Sequence, residues 1–259
     1  MEKPRVNKYT VVSICSVIGF LLLWQAATDW FGWLPHIAMP SPVKTLATLL
    51  AKFTNSNPEG ATLGQHILAS LSVSIGGFLA GSIVGVPLGI FMAWNRKIEL
   101  LVMPLFDFIK PIPPIAWIPL MIIVFGIGAP ARASIIFMAS LMPCVVNSYT
   151  GIKQVNQVHL WVGRIFGATR GQLLMRVAIP TALPNIFTGL RVGLGASWIS
   201  LVAAEMLAAT RGLGYMIQAG RLYLMPDMVV AGMAVIGCIG ALLSYILTRF
   251  ENRFIRGRR

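Results

Sequence analysis

Six apolar stretches alternate with short polar connections along the chain. They cover about residues 10–29, 67–94, 101–126, 132–151, 183–208 and 227–249. A transmembrane helix needs about 20 predominantly apolar residues to cross the hydrocarbon core of a bilayer. The pattern therefore predicts an all-α integral membrane protein with six transmembrane helices, formed by one domain over 1–259.

The third and fifth stretches contain residues that a lipid-facing helix avoids. The third holds Asp107, Lys110 and prolines at 111, 113, 114 and 119, and the fifth holds Arg191 and Glu205. Interrupted helices are stable in a membrane only where protein or a water-filled cavity satisfies the freed backbone groups. We therefore predict that both spans face the interior of a bundle, with a bend after Lys110.

The positions of Lys and Arg predict the orientation. With the N-terminus inside, most basic residues fall on the cytoplasmic side, including those of the connection that carries Arg164 and Arg170. The other side receives Lys44, Lys52, Arg132, Arg211 and Arg221. Because cytoplasmic loops of membrane proteins are enriched in Lys and Arg, both termini are predicted to be cytoplasmic.

A short amphipathic helix is predicted in the first outer connection. Trp30, Phe31 and Trp33 suit an aromatic belt at the membrane surface. Ser41 then serves as N-cap with Pro42 at the first helical position. Apolar residues at 43, 46, 49, 50 and 53 follow helical spacing, so this helix is expected to lie along the outer membrane surface.

Composition excludes several classes of function. Charged residues make up 11% of the chain, against about 25% in a typical soluble domain, and the mean hydropathy is +0.76. The net charge of +13 comes from residues between apolar spans, which favours the lipid bilayer over nucleic acid as a partner. Cysteines and histidines are scattered, so neither a metal site nor a catalytic site is expected. No phosphate-binding loop is present, so this chain is not expected to bind ATP or any other cofactor.

One basic connection looks folded. From Val158 to Pro180 the apolar residues follow helical spacing up to Phe166, and they resume from Leu173 after a break at Gly167. This predicts a helix, a glycine turn and a second helix that ends before Pro180, with Arg164, Arg170 and Arg176 towards water or a partner. The alternative is an ordinary cytoplasmic loop held by positive charge.

The spacing from Gly167 to Pro180, "G-x9-V-A-I-P", resembles the signature of permease subunits of bacterial ABC importers. In that family E-A-A, three residues, G, nine residues and I-x-L-P form the segment that docks into the ATPase subunit. Here Trp161, Val162 and Gly163 stand where Glu, Ala and Ala would be. The resemblance implies ATPase-coupling roles for a set of residues in this segment: Trp161, Arg164, Gly167, Ala168, Arg170 and Pro180.

The likeness covers roughly residues 65–250. "KPIPPIAWIPLMIIVFGIG" and "LPNIFTGLRVGLGASWISLVAAEMLAATRGLGYMI" resemble the nitrate/sulfonate/taurine branch. That branch implies a type I importer permease of the bacterial inner membrane, paired with a second copy of itself, two cytoplasmic ATPase subunits that bind ATP and Mg, and a periplasmic substrate-binding protein. Taurine or another alkanesulfonate is the first expected substrate and nitrate or another small oxyanion the second. A stand-alone secondary carrier or a membrane enzyme are the rival classes.

Ionisable residues inside a membrane cost about 2.5–3.5 kcal/mol each on insertion scales, so they are candidates for the substrate path. Asp107 and Lys110 lie three residues apart on one helix face, where they either pair structurally near the cytoplasmic mouth or serve the path. Pro113, Pro114 and Trp117 belong to the predicted bend that lines the path.

The fifth span adds further candidates. Arg191 either attracts a sulfonate or extends to the cytoplasmic surface. Glu205 either contacts substrate or the docked binding protein, or forms a salt bridge with Arg211. Ser197, Trp198 and Ser200 suit a small oxyanion, or else they pack helices together. Gly212 and Gly214 are expected in a tight outer turn.

Overall fold

The computed structural model describes residues 8–33, 35 and 39–256, and within them all regular structure is helical. Five helices are long and apolar enough to cross a membrane. A bent pair, Arg96–Ile109 with Pro114–Phe125, makes a sixth when its halves count as one span. The predicted all-α membrane architecture is therefore confirmed.

Eleven α-helices are described in this part of the chain: α1 (Lys8–Gln25), α2 (Pro42–Ala51), α3 (Leu63–Trp94), α4 (Arg96–Ile109), α5 (Ile118–Phe125), α6 (Ala129–Lys153), α7 (Gln157–Ile165), α8 (Arg170–Leu173), α9 (Ile179–Ala208), α10 (Leu213–Leu222) and α11 (Pro226–Arg256). Three short segments extend them: π-helical turns at Ala26–Trp30 and Leu174–Ala178, and a 3-10 turn at Pro114–Trp117. The chain divides into two compact units, Met1–His66 with Met216–Val235 and Ile67–Tyr215 with Ile236–Arg259. The single domain over 1–259 stays a prediction.

In the first unit, α2 has the predicted start and the predicted apolar face. The Ser41 side chain accepts the Lys44 backbone N–H at 3.3 Å, and Pro42 occupies the first turn. Four apolar side chains on α2 or just after it are left uncovered by the rest of the chain: Val43, Leu46, Leu50 and Phe53. The short amphipathic helix is therefore confirmed, and its place on the outer membrane surface stays a prediction.

Buried polar side chains hold the connection after α2. Lys52 Nζ lies 2.6 Å from Glu59 Oε1, and His66 Nε2 lies 3.5 Å from the same oxygen. Thr48 Oγ1 donates to Asp227 Oδ2 at 2.5 Å. Buried charges need such partners because they lose their hydration, so these contacts fix the path of the chain between α2 and α3.

In the second unit, a glycine stripe brings α3 close to α6. Gly77, Gly81, Gly85 and Gly89 repeat every four residues, so they lie on one face of α3. A Cβ atom at Gly81 would lie 2.6 Å from the Phe137 carbonyl oxygen, and one at Gly85 2.9 Å from that of Leu141. Helix association in membranes relies on this close approach of small residues, because lipid provides no hydrophobic driving force.

A neighbouring face of α6, which shares Ser140 and Cys144 with the first, packs on α9 in the same way. A Cβ atom at Gly189 would lie 3.0 Å from the Pro143 carbonyl oxygen, and one at Gly193 3.2 Å from that of Ser140. α5 joins this group through a cluster of Ile118, Ile135 and Ala204. α6 is thus the central helix of the second unit, and all the candidate site residues lie on elements around it.

Candidate functional site

The basic connection forms a folded helical hairpin attached to the second unit. Asn156 caps α7 by accepting the Val158 backbone N–H at 2.9 Å. Gly167 has a φ of +79°, a conformation that L side chains other than Asn and Asp rarely adopt. Thr169 and Gln172 form a capping box that starts α8. The predicted helix, glycine turn and helix are therefore confirmed.

The hairpin is anchored by its inner side chains. Leu160, Leu173 and Leu174 are buried in a cluster with Ile90 and Ile152. Ala168 packs against the same cluster as a half-buried residue. The cluster therefore holds α7 and the end of α8 against α3 and α6.

The outer face of α7 is apolar and uncovered. Its members share exposures between 46% and 85%: Val158, Trp161, Val162, Ile165 and Phe166. Arg164 and Arg170 are also exposed. The apolar residues that predicted an amphipathic helix therefore do not pack on the bundle. A contiguous apolar patch of this kind marks an interaction surface.

The second predicted helix does not end before Pro180, so that prediction is wrong. α8 continues through the π-helical turn into α9, and the apolar helix runs from Arg170 to Ala208. The Ile179 N–H bonds to the Leu174 carbonyl, one residue further back than in an α-helix. Proline has no N–H to contribute, and a widened turn accommodates it without ending the helix.

The third span is broken where its prolines predicted a bend. α4 ends at Ile109, and the pair α4 and Pro114–Phe125 is bent by 83°. Pro113 precedes the 3-10 turn in extended conformation, and Pro114 begins that turn. Asp107 and Lys110 do not form the predicted pair, since no ion pair among the described residues joins them. The helix ends at the cap residue Lys110, and each side chain adjoins a cavity instead.

Arg191 has an internal partner. Its guanidinium forms an ion pair with Glu251 of α11. Ser197 donates to the Ile136 carbonyl at 3.3 Å, and Trp198 Nε1 donates to the Ile236 carbonyl at 3.1 Å. Ser200 is also buried. The donors of Ser197 and Trp198 thus serve helix packing, which was one of the two alternatives for them.

Glu205 is buried in a network at one end of the second unit. Its carboxylate accepts the Gly214 backbone N–H at 2.9 Å and a hydrogen bond from Ser70 at 2.8 Å. Its ion-pair partner is Arg132 at 3.5 Å. The predicted salt bridge of Glu205 with Arg211 is therefore wrong, because the partner of Glu205 is Arg132. Arg211 instead accepts a hydrogen bond from Arg132 through its backbone carbonyl oxygen, at 3.4 Å.

Of the two glycines expected in the outer turn, one fits that role. Gly212 has a φ of +141°. Gly214 lies in the first turn of α10, where a Cβ atom would sit 2.5 Å from the Val202 carbonyl oxygen and 2.8 Å from Glu205 Cβ. A glycine is therefore required at 214 because the first turn of α10 contacts α9 there. The positive φ of the outer turn requires a glycine at 212 only.

Ser70 and Arg132 were not singled out from the sequence. An arginine in the first turn of an apolar span is a signal that was available, because a charge there needs a partner. Ser70 gave no such signal, since an isolated serine in an apolar helix is common. No group of three or more His, Cys, Asp or Glu suited to a metal lies in the part of the chain described.

Comparison with known proteins identifies relatives of this arrangement. Residues 85–259 match the family described as binding-protein-dependent transport system inner membrane component. The chain is 37% identical to the taurine transport system permease protein TauC of Escherichia coli, over 96% of this chain and 90% of that protein. It is 32% identical to the nitrate import permease protein NrtB of Synechocystis, over 96% of this chain and 89% of that protein.

A solved structure shares the fold. A chain of the MetNI methionine ABC transporter, in inward facing conformations, matches with a TM-score of 0.63 at 18% identity. The match covers 75% of this chain and 95% of that one. The helical architecture described above is therefore shared with a chain of that ABC transporter.

Proposed function

Because the chain belongs to the family of binding-protein-dependent transport system inner membrane components, we propose that it forms the translocation path of an ATP-driven importer for taurine or a related alkanesulfonate. As a permease subunit of such an importer it is a multi-pass inner-membrane protein and not an enzyme. The observation that carries the substrate class is the 37% identity to a taurine permease over 96% of the chain. A nitrate permease at 32% identity supports nitrate or another small oxyanion as the second candidate.

The outer face of α7 is the proposed contact with the ATPase subunit. Trp161 lies on this face with 56% of its surface exposed, at the position where the family motif has Glu. Ile165 and Phe166 are the most exposed members, at 84% and 85%. Aromatic and aliphatic side chains seated in a groove dominate the affinity of many protein interfaces. We therefore assign the face an apolar docking role in place of a carboxylate contact.

Two copies of the chain, two ATPase subunits and a periplasmic binding protein make the proposed complex, with both termini of the permease in the cytoplasm. Closure of the ATPases draws the two hairpins together. The buried cluster of Leu160, Leu173 and Leu174 passes this movement to α3, α6 and α9. The path then opens outward to receive substrate, and ATP hydrolysis returns it to the inward-open state.

Uptake tests the substrate assignment. The permease is reconstituted in proteoliposomes with its ATPase, and labelled taurine, ethanesulfonate and nitrate are each supplied with the binding protein. ATP-dependent uptake of taurine or ethanesulfonate supports the proposal. Uptake of nitrate alone supports the second candidate, and uptake driven by a pH gradient without the ATPase contradicts both.

Two substitutions at one position test the docking face. Trp161→Glu places a charge in the proposed apolar contact, so the ATPase is expected to separate from the permease on purification. Trp161→Phe keeps an aromatic anchor and is expected to retain the ATPase. Equal recovery of the ATPase with both variants contradicts the apolar contact. The substrate assignment is unaffected by that result, because uptake by the wild type tests it separately.

A further inference from the structure

Two small cavities adjoin the break of the third span, and Lys110 lines both. The first has a volume of about 160 Å³ and is lined by Asp107, Tyr149 and Thr150 together with apolar side chains. The second has a volume of about 170 Å³ and is lined by Trp117 and Pro113. Cavities of this size suit a small molecule or ion and exclude a peptide or a sugar chain.

Tyr149 at the first cavity donates to Glu99 at 2.6 Å, but three other polar groups at these cavities have no partner among the described residues. Trp117 Nε1 is buried and has no hydrogen-bond partner. Asp107 and Lys110 are exposed, and no ion pair among the described residues includes either of them. A buried N–H without a partner is destabilising, and charges in a membrane normally pair or face a water-filled cavity. Lys110 lines both cavities, so its ammonium, the Asp107 carboxylate and the unpaired Trp117 N–H are all accessible to a ligand from outside the chain.

The second cavity lies beside the middle of a span, and the first lies nearer the end of α6, beside Tyr149 and Thr150. Met138, Ala139, Met142 and Pro143 line the second one, and they surround the midpoint of α6, which runs from Ala129 to Lys153. The length of α4 agrees with a position near mid-membrane. Its 14 residues extend about 21 Å from the capped start at Asn95 to the break. Broken helices near the bilayer midplane are where membrane transporters of other classes bind substrate.

We infer that the break of the third span binds a small zwitterion that carries an ammonium group and an oxyanion. The Asp107 carboxylate takes the ammonium group, and the Lys110 ammonium and the Trp117 indole N–H take the oxyanion. This rests on the proposed function and sharpens it. Taurine carries both groups, whereas ethanesulfonate and nitrate carry only the oxyanion, so the site distinguishes an aminosulfonate from a simple anion.

Equilibrium binding of labelled taurine tests the site directly. The permease–ATPase complex is used without the binding protein, so that the binding protein's own selectivity does not enter. Lys110→Gln is expected to weaken taurine binding by about tenfold or more, since it removes the charge opposite the oxyanion. Trp117→Phe is expected to weaken it by about fivefold, the effect of one hydrogen bond. Lys97→Gln, a change of the same kind at an exposed residue of α4, is the matched control and is expected to bind like the wild type.

Selectivity separates the role of Asp107 from general damage. In the wild type, taurine is expected to outcompete ethanesulfonate by about tenfold, because one charge pair distinguishes them. Asp107→Asn is expected to abolish this difference while ethanesulfonate binding is retained. Asp107→Glu keeps the charge and is expected to keep the preference. Complex yield and thermal unfolding of each variant show whether it is folded.

Three outcomes overturn the site. They are an absence of taurine binding to the wild-type complex, equal weakening of both ligands by Asp107→Asn, and unchanged binding in Lys110→Gln and Trp117→Phe. Uptake is measured in parallel with the binding protein present. If the wild type imports taurine but the binding measurements contradict the site, the proposed function stands and the site is wrong. If the wild type imports neither taurine nor ethanesulfonate, the proposed function itself is contradicted.

Discussion

The hydroxyl of Ser70 lies 2.8 Å from Oε1 of Glu205, although the two residues are 135 positions apart in the sequence. The same hydroxyl oxygen accepts the Leu213 backbone N–H at 2.8 Å. One small side chain on α3 thus joins the end of α9 to the start of α10. Together with Arg132 on α6 it surrounds a carboxylate that is fully buried.

This network predicts a large loss of stability for Glu205→Ala. The substitution leaves the guanidinium of Arg132 buried without its counter-charge, and breaking such a pair costs about 3–5 kcal/mol. Glu205→Gln keeps an oxygen that accepts hydrogen bonds and is expected to lose less. Thermal unfolding of the purified permease in detergent measures both.

Glu251→Gln is the control for this comparison, because its ion pair with Arg191 is more exposed than that of Glu205. Exposed pairs contribute about 0–1 kcal/mol, so a small shift is expected. Equal shifts for Glu205→Ala and Glu251→Gln would show that the buried network does not stabilise the fold.

Two adjacent glycines on α3 are expected to respond in opposite ways. A Cβ atom at Gly77 would lie 2.8 Å from Ile136 Cβ and 2.9 Å from the Ala133 carbonyl oxygen, whereas one at Gly76 meets no atom within 4 Å. Gly77→Ala forces α3 from α6 and is expected to destabilise the permease by about 1–3 kcal/mol. Gly76→Ala is expected to be neutral or mildly stabilising, since alanine favours helix. Comparable unfolding temperatures for the two variants would contradict the close contact of α3 with α6.

Gly167 is expected to tolerate a residue that adopts positive φ and no other. A side chain there meets no neighbouring atom, so its cost comes from the backbone at φ +79°. Asn adopts this region more readily than most residues, whereas a β-branched residue there is strained. Gly167→Val is therefore expected to impair uptake and recovery of the ATPase, and Gly167→Asn to retain most of both. Normal coupled uptake by Gly167→Val excludes a role for this turn in coupling.

The orientation is tested by labelling. Lys44 and Arg170 are both exposed and are predicted on opposite sides of the membrane. In a background with Cys15 and Cys238 replaced by Ser, Lys44→Cys is expected to react with a membrane-impermeant maleimide in spheroplasts. Arg170→Cys is expected to react only after permeabilisation. The reverse result means that the proposed orientation is inverted.

Local signals in the sequence predicted much of the helical structure correctly. Ser41 and Pro42 mark the start of α2, and Gly167 marks the turn of the hairpin, because capping and positive φ depend on neighbouring residues alone. The prolines after Lys110 marked the break in the third span. Pro180 was misleading, since a proline ends a regular α-helix but fits a widened π-helical turn.

The interaction partners of the polar side chains were harder to predict from the sequence. Asp107 and Lys110 have the spacing of a helical pair, yet the end of α4 at Ile109 and the cavities beside it leave them unpaired. Arg211 is six residues from Glu205 in the sequence, but the buried partner is Arg132. Spacing identifies possible pairs on one helix, and it carries no information on which other helix comes near.

The sequence by itself determined that the chain is a helical membrane protein, where its spans lie, and that a glycine turn interrupts its basic connection. These properties follow from hydrophobic length and backbone preference, which act over a few residues. Only the tertiary structure decided that α6 packs on both α3 and α9, that Ser70 and Arg132 hold Glu205, and that Lys110 and Trp117 line one cavity. Those relations depend on the packing of helices far apart in the chain, where small residues allow close contact and buried polar groups must find partners.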